Sequence, residues 1–166
     1  MLSYLKISFS IFIVLALSRF IPHPPNFTSL LALSFYVPVL LGLKYLPALI
    51  ISFAITDLII GYHTGTHWTW GSVLVIGLMS QYFTKKVSIR LIGALLGATL
   101  FFVITNFGVW TSGMYGLTLI GLLNCYTLAI PFFAYSMIST ILFSLVIETG
   151  YKFYKIKFLR YKKSPQ

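Results

Sequence analysis

Apolar runs of about 20 residues follow one another along almost the whole chain, and charged side chains gather at the turns between them. Only 8% of the 166 residues are charged, against roughly a quarter in an ordinary soluble domain. A water-soluble body of this size could not cover its surface with so few charges, so lipid must be the solvent for most of the chain. Six spans of ~20 residues leave no room for a soluble catalytic or nucleotide-binding domain.

The runs and turns predict an all-α integral membrane protein, a six-transmembrane-helix bundle within a single transmembrane domain at residues 1–151. The stretch 117–151 is too long for one straight span and too short for two with an ordinary loop, and Pro131 divides it. Residues 117–130 then form a re-entrant or interfacial helix, or the whole stretch forms one kinked and tilted helix. The predicted spans are 2–20, 27–43, 45–62, 68–83, 89–105 and 131–151.

The first apolar run also resembles a signal peptide, because Ala16-Leu17-Ser18 could serve as a small-residue cleavage site. We interpret the run as a retained helix, since a multi-spanning protein usually keeps its first hydrophobic segment as an anchor.

Lys and Arg side chains stand at alternate turns of the predicted bundle. Lys44 lies in one such turn and Lys85, Lys86 and Arg90 in another, whereas the turns 21–26, 63–70 and 106–116 contain neither residue type. By the positive-inside rule, the basic turns and both termini are cytoplasmic. Residues 152–166 form a basic cytoplasmic tail that sets topology and contacts anionic membrane lipid, with no nucleic acid as partner.

The outer turns hold nearly every side chain that could recognise a small molecule. Their Trp and Tyr side chains either form a belt at headgroup level or stack on a ligand ring. Asp57 lies inside the third predicted span, where an unpaired carboxylate costs several kcal/mol, and Arg19 is the basic side chain on the same side. We expect the two to pair, either as a structural clamp between helices or as part of a binding pocket.

Motifs for catalysis, metal binding and cofactor binding are weak or missing in the sequence. His63 and His67 are four residues apart, but Thr64-Gly65-Thr66 between them favours a loop and no third ligand lies nearby. A single cysteine, Cys125, excludes an internal disulfide. We therefore expect no enzyme activity, no metal and no cofactor. Gly93 and Gly97 form a small-residue pair on the fifth helix, which packs within the chain or against a partner.

Motifs along nearly the whole chain carry a family resemblance. They are Arg19-Phe-Ile-Pro-His-Pro-Pro-Asn-Phe-Thr28, Thr56-Asp57-Leu-Ile-Ile-Gly61, Thr105-Asn-Phe-Gly-Val-Trp110, and Cys125-Tyr126 before Pro131-Phe132-Phe133. The chain resembles a family of small bacterial membrane proteins described as transport proteins similar to the S components of energy-coupling factor (ECF) transporters. The resemblance implies a multi-pass protein of the bacterial inner membrane that captures a vitamin-like solute near its outer face.

In such systems the S component docks on a transmembrane coupling subunit that paired ATPase subunits drive, so those subunits are the partners that the resemblance implies. S components typically dock through small residues spaced four apart on the first helix. Here that helix offers Ser8, Ser10, Ala16 and Ser18 but no Ala-xxx-Ala pair, so the sequence departs from the family pattern at the docking face.

We therefore predict a substrate-binding membrane subunit for a small polar or aromatic solute. Trp68, Trp110 and Tyr115 would stack on a ring, while Asn26, Asn106 and His63 would form hydrogen bonds. Arg19 and Asp57 would fix geometry or a charged group. The alternatives are a structural inner-membrane protein without a ligand, like the rod-shape-determining membrane family, and a proton-coupled carrier.

Overall fold

The computed structural model describes residues 2–63 and 65–163, with side chains up to residue 156. Within these residues the regular structure is entirely helical, which confirms the predicted all-α class. Short 3-10 turns at Leu43–Tyr45 and Ser80–Phe83 precede α3 and follow α4. The six helices are α1 (Leu2–Phe20), α2 (Leu30–Leu41), α3 (Leu46–Ile60), α4 (Thr66–Met79), α5 (Val87–Thr111) and α6 (Leu119–Lys163).

Four helical segments in the described residues have the length and apolar composition needed to cross a membrane: Leu2–Phe20, Leu43–Ile60, Val87–Thr111 and Leu119–Ile156. The chain is therefore a multi-pass, all-α membrane bundle. α2 is apolar but has only 12 residues, or about 18 Å at ~1.5 Å per residue, against a hydrocarbon core of about 30 Å. It is shorter than the predicted span 27–43, because the three-proline turn leads into non-helical backbone as far as Ser29.

α2 is the central helix of the bundle. It contacts α3, α4, α5 and α6, and every residue from Leu30 to Pro38 is buried. The other helices shield it from lipid and expose many of their own large apolar side chains. The segment 21–29, which leads into α2, is exposed over residues 21–26 and becomes buried at Ser29.

The turns gather at two ends of the bundle. At one end the Tyr4 hydroxyl donates to the Lys44 carbonyl at 3.1 Å, and the Gln81 side-chain amide donates to the Pro38 carbonyl at 3.1 Å. We call this end, with Lys44, Lys85 and Lys86, the basic end. The opposite end, which contains residues 21–29, 61–63, 65 and 112–118, is called the aromatic end.

Glycines on α5 allow close packing within the chain. A Cβ atom on Gly93 would overlap the rings of Phe35 and Phe83, and one on Gly97 would come within 3.0 Å of Ile76. These neighbours belong to α2, α4 and the 3-10 turn after α4. The small-residue pair therefore packs inside this bundle, the first of the two interpretations given above.

Two helices extend beyond their predicted ends. α5 continues through Asn106 to Thr111, where the sequence predicted a loop, and α6 runs unbroken from Leu119 to Lys163. The structure thus follows the interpretation of 117–151 as one long helix, not a separate re-entrant or interfacial helix at 117–130. Pro131 is accommodated inside α6, since membrane helices tolerate proline when neighbouring groups satisfy the freed backbone. The same helix includes residues 152–163 of the predicted tail, whose last residues, 164–166, lie outside the described part.

Candidate functional site

A cavity of about 210 Å³ lies between α4, α5, α6 and the segment 21–29. Its lining combines polar side chains from all four parts of the chain with a group of phenylalanines. The lining residues are Asn26, Thr69, Phe101, Phe102, Thr105, Asn106, Val109, Ala129, Phe132, Phe133 and Ser136.

Asn26 reaches this cavity from a turn that few residue types can form. Its φ of 62° is in the left-handed region, which asparagine tolerates better than most residues. The Ser139 hydroxyl of α6 lies 3.4 Å from the Asn26 backbone carbonyl and 3.1 Å from the Ser136 carbonyl, and its one hydrogen is shared between these two acceptors. Asn26 itself is exposed, and its carboxamide makes no hydrogen bond to the described residues. This carboxamide can therefore both donate to and accept from a bound molecule.

The other polar side chains of the cavity each donate a hydrogen bond within their own helix. The hydroxyls of Thr69, Thr105 and Ser136 donate to backbone carbonyls three or four residues earlier in their own helices, at 2.7, 2.8 and 3.1 Å. The Asn106 amide nitrogen donates one of its two hydrogens to the Phe102 carbonyl at 2.7 Å. Their oxygens keep free lone pairs, so these four side chains offer acceptors to the cavity. The described lining residues carry no charge.

Phenylalanine rings form the apolar part of the cavity wall. Phe102 of α5 and Phe133 of α6 lie 4.5 Å apart between ring centroids, with 31° between their planes. Phe102 also meets Tyr126 edge to face at 5.5 Å. Flat apolar walls beside a few fixed polar groups are typical of small-molecule sites.

Arg19 and Asp57 pair in the structure, as their positions in the sequence indicated. The Arg19 guanidinium approaches the Asp57 carboxylate at 2.5 Å and donates to the Thr56 hydroxyl at 2.7 Å. The second Asp57 oxygen accepts from the Trp70 indole N–H at 2.6 Å. The pair thus ties α1, α3 and α4 together at the aromatic end. Neither Arg19 nor Asp57 lines the cavity described above, so their role in binding stays a prediction.

The remaining predicted site residues lie apart from the cavity lining. Trp68 packs on Gly108 of α5 and meets Phe107 edge to face at 5.8 Å. Trp110 donates from its indole N–H to the Thr118 carbonyl at 3.3 Å, which joins the ends of α5 and α6.

Two further predicted residues lie in turns. The His63 ring accepts from the Gly65 amide at 3.2 Å within its own turn. Tyr115 is half-buried in the turn between α5 and α6. The cavity brings together only Asn26 and Asn106 of the eight predicted residues.

Three polar lining residues escaped sequence reasoning: Thr69, Thr105 and Ser136. Thr105 directly precedes Asn106, and Ser136 begins a row of polar residues four apart on α6 that continues with Thr140, Ser144 and Glu148. Such a row in an apolar helix marks one helix face turned away from lipid. That periodicity was the available signal for Ser136 and for Glu148.

A metal centre has no ligand set in the described part of the chain. No group of three or more His, Cys, Asp or Glu side chains that could hold a metal ion occurs there.

Comparison with known proteins places the chain in a family but gives no function. No curated protein and no solved structure matches it. Over residues 3–164, nearly its whole length, the chain matches and therefore belongs to a family of unknown function, DUF6580.

Proposed function

We propose that this chain is a substrate-binding membrane subunit that takes up a small vitamin-like or other polar or aromatic solute through the cavity beside Asn26 and Asn106. One observation carries the proposal: a partly open cavity between α4, α5, α6 and the segment 21–29 combines five polar side chains with four phenylalanines. A convergent set of polar groups in an apolar cavity is the usual form of a small-molecule site.

The lining narrows the chemistry of the solute. The described lining residues carry no charge, and four of the five polar side chains present acceptors. A neutral molecule that donates hydrogen bonds and has a flat apolar part fits this pattern. Its size is limited, because about 210 Å³ is below the roughly 300–1,000 Å³ of drug-sized pockets.

The energy for uptake would come from partner subunits. Resemblance to ECF S components supports a transmembrane coupling subunit and ATPase subunits as those partners. The chain would lie in the bacterial inner membrane. Both termini would be cytoplasmic, as the positive-inside rule predicts. The aromatic end would then face outward, on the side from which the solute arrives. The absence of lysine and arginine from the outer turns at 21–26, 63–70 and 106–116 supports this orientation.

The test is a thermal-unfolding screen of the purified, detergent-solubilised chain against neutral small metabolites, including vitamins and their precursors. A ligand at a hundred times its Kd adds about 2.7 kcal/mol to the stability of the folded state, which is easily measured. Ala129→Phe should abolish stabilisation by any hit, because Ala129 lines the cavity and is nearly fully buried. Ala134→Phe is the matched control, since Ala134 is an exposed residue of the same helix outside the lining.

A second variant tests the hydrogen bonding. Thr105→Val removes one acceptor with little change of volume and should weaken binding about 3- to 10-fold, the typical net worth of one hydrogen bond. Thr99→Val is its control, because Thr99 makes the same local bond to its own helix but is exposed and lies outside the cavity lining. A well-folded preparation without any hit would favour a structural protein. Transport by the isolated chain that Asp57→Asn abolishes would favour a proton-coupled carrier.

A further inference from the structure

A second, larger concavity lies toward the basic end, away from the proposed solute cavity. It is a groove of about 890 Å³ with one wall from α1, the other from α6 and its floor from α2. Lys44 and Tyr45 close it near the turn between α2 and α3, and Tyr151 and Tyr154 line it on α6. We call this concavity the basic-end groove.

The basic-end groove is amphipathic. Ile11, Val14 and Leu33 supply apolar surface along its length. Lys44, at its edge, is exposed, and its ammonium lies 5.3 Å from the centre of the Tyr45 ring. The Lys44 ammonium and tyrosine rings therefore lie beside the apolar part of the basic-end groove.

The chain has no acidic side chain left to pair with Lys44. The sequence contains two acidic residues, Asp57 and Glu148, and each is held in an ion pair with an arginine. No Asp or Glu side chain remains to neutralise the lysines, so Lys44 must find its counter-charge outside the protein's side chains. In a membrane the available anions near a helix end are lipid headgroups, and basic pockets between membrane helices bind them.

We propose that the basic-end groove binds a phospholipid with an anionic headgroup, the phosphate beside Lys44 and an acyl chain along α2. The lipid would lie between α1 and α6 and cover Leu40 and Leu41, the accessible groove residues at the end of α2. This site is separate from the proposed solute cavity and shares no lining residue with it.

Gly150 provides a direct way to block the groove. It lies in the lining on α6, and a Cβ atom added to it would meet no other atom within 4 Å. Gly150→Leu should therefore occupy the groove without a clash at its base. Gly71 on α4 is equally open to a Cβ atom and lies outside the groove, so Gly71→Leu is the matched control.

The experiment measures lipid retention by native mass spectrometry of the full chain in detergent. The probes are phosphatidylglycerol and phosphatidylcholine with identical acyl chains. We expect preferential retention of phosphatidylglycerol, a loss of about fivefold in its affinity for Lys44→Gln, and near-complete loss for Gly150→Leu. Lys85→Gln removes one charge from an exposed lysine outside the groove and should have a smaller effect. Thermal unfolding of each variant checks that the fold is intact.

Several results would overturn the proposal. Equal retention of the two lipids would remove the role of the headgroup charge. Equal losses for Lys44→Gln and Lys85→Gln would indicate diffuse attraction at the basic end. Lipid retention unchanged by Gly150→Leu would place the lipid elsewhere, and a change from dimer to monomer in that variant would make the groove an interface between two copies.

Discussion

Arg90 and Glu148 form two parallel hydrogen bonds inside the bundle although 58 residues separate them in the chain. The guanidinium Nε and Nη2 atoms donate to the two carboxylate oxygens at 2.6 and 2.7 Å, and Nη1 donates to the Thr84 carbonyl at 3.1 Å. Both residues are only 8% exposed. The pair therefore fixes the start of α5 against α6. The bond to Thr84 also ties the start of α5 to the residue that follows the 3-10 turn after α4.

Removing one member of this pair should destabilise the protein strongly. Glu148→Gln leaves the Arg90 charge buried without its counter-charge, and the expected loss is about 3–5 kcal/mol in the free energy of unfolding. Arg90→Gln should cost a similar amount. Unfolding by SDS titration in mixed micelles measures both.

A double variant gives the matched control. Arg90→Met combined with Glu148→Met replaces the pair by apolar side chains and should recover much of the loss, because buried ion pairs are often neutral relative to apolar residues of similar volume. Wild-type stability in either single variant would show that water reaches the pair.

Variants of Arg19's partner Asp57 and of Trp70 distinguish a structural clamp between helices from a contact with the ligand. Asp57→Asn should lower the free energy of unfolding by about 3 kcal/mol, since Arg19 then loses its counter-charge at a largely buried position. Trp70→Phe keeps an aromatic ring but loses the indole hydrogen bond to Asp57, at a cost of about 1.5–3 kcal/mol. Thermal unfolding with and without a solute identified in the screen separates stability from affinity.

Because neither residue of the pair lines the solute cavity, the Kd should stay within a few-fold of wild type in both variants. A large rise in Kd for Asp57→Asn at normal stability would instead give the carboxylate a direct role in binding, the other interpretation that the sequence left open.

The all-α membrane class was predictable because it follows from the long apolar runs and the scarcity of charge. Helix lengths were less accessible. Pro131 was interpreted as a break, yet α6 continues through it, since a backbone with little access to water gains from keeping its internal hydrogen bonds. Asn106 was assigned to a loop, yet its side chain bonds back to its own helix and α5 extends past it.

Asn26 and Asn106 are the predicted site residues that line the solute cavity, and one contact outside it was also predictable. An acid at membrane depth needs a cation, which sufficed to predict the contact between Arg19 and Asp57. The same logic applied to Glu148 could have suggested Arg90, which was instead counted among the topology charges. Asn26 and Ser136 line the same cavity because of a left-handed turn and tertiary packing, and sequence spacing carries no signal for either.

Gly108 should be intolerant of a side chain. A Cβ atom there would overlap the Trp68 ring close to its attachment point, so the ring cannot move aside without shifting α4 against α5. Gly108→Ala should destabilise by about 1–3 kcal/mol. Gly71→Ala is the control, because a Cβ atom at Gly71 meets no neighbour within 4 Å and alanine favours the helix by up to about 1 kcal/mol. Thermal unfolding of the two variants should move in opposite directions, and equal stability would mean that Trp68 repacks freely.

Two matched tyrosines test the predicted orientation of the bundle. Tyr62 at the aromatic end is 63% exposed and Tyr82 at the basic end is 85% exposed. In a Cys125→Ser background, a membrane-impermeant maleimide should label Tyr62→Cys in intact spheroplasts but reach Tyr82→Cys only after the membrane is opened, because the lysines near Tyr82 keep that end cytoplasmic. Replacing Cys125 by serine should leave the fold intact, since its buried thiol donates to the Asn106 carbonyl at 3.3 Å and a hydroxyl can make the same bond. The reverse labelling pattern would mean that the solute cavity faces the cytoplasm, which would contradict a role in uptake.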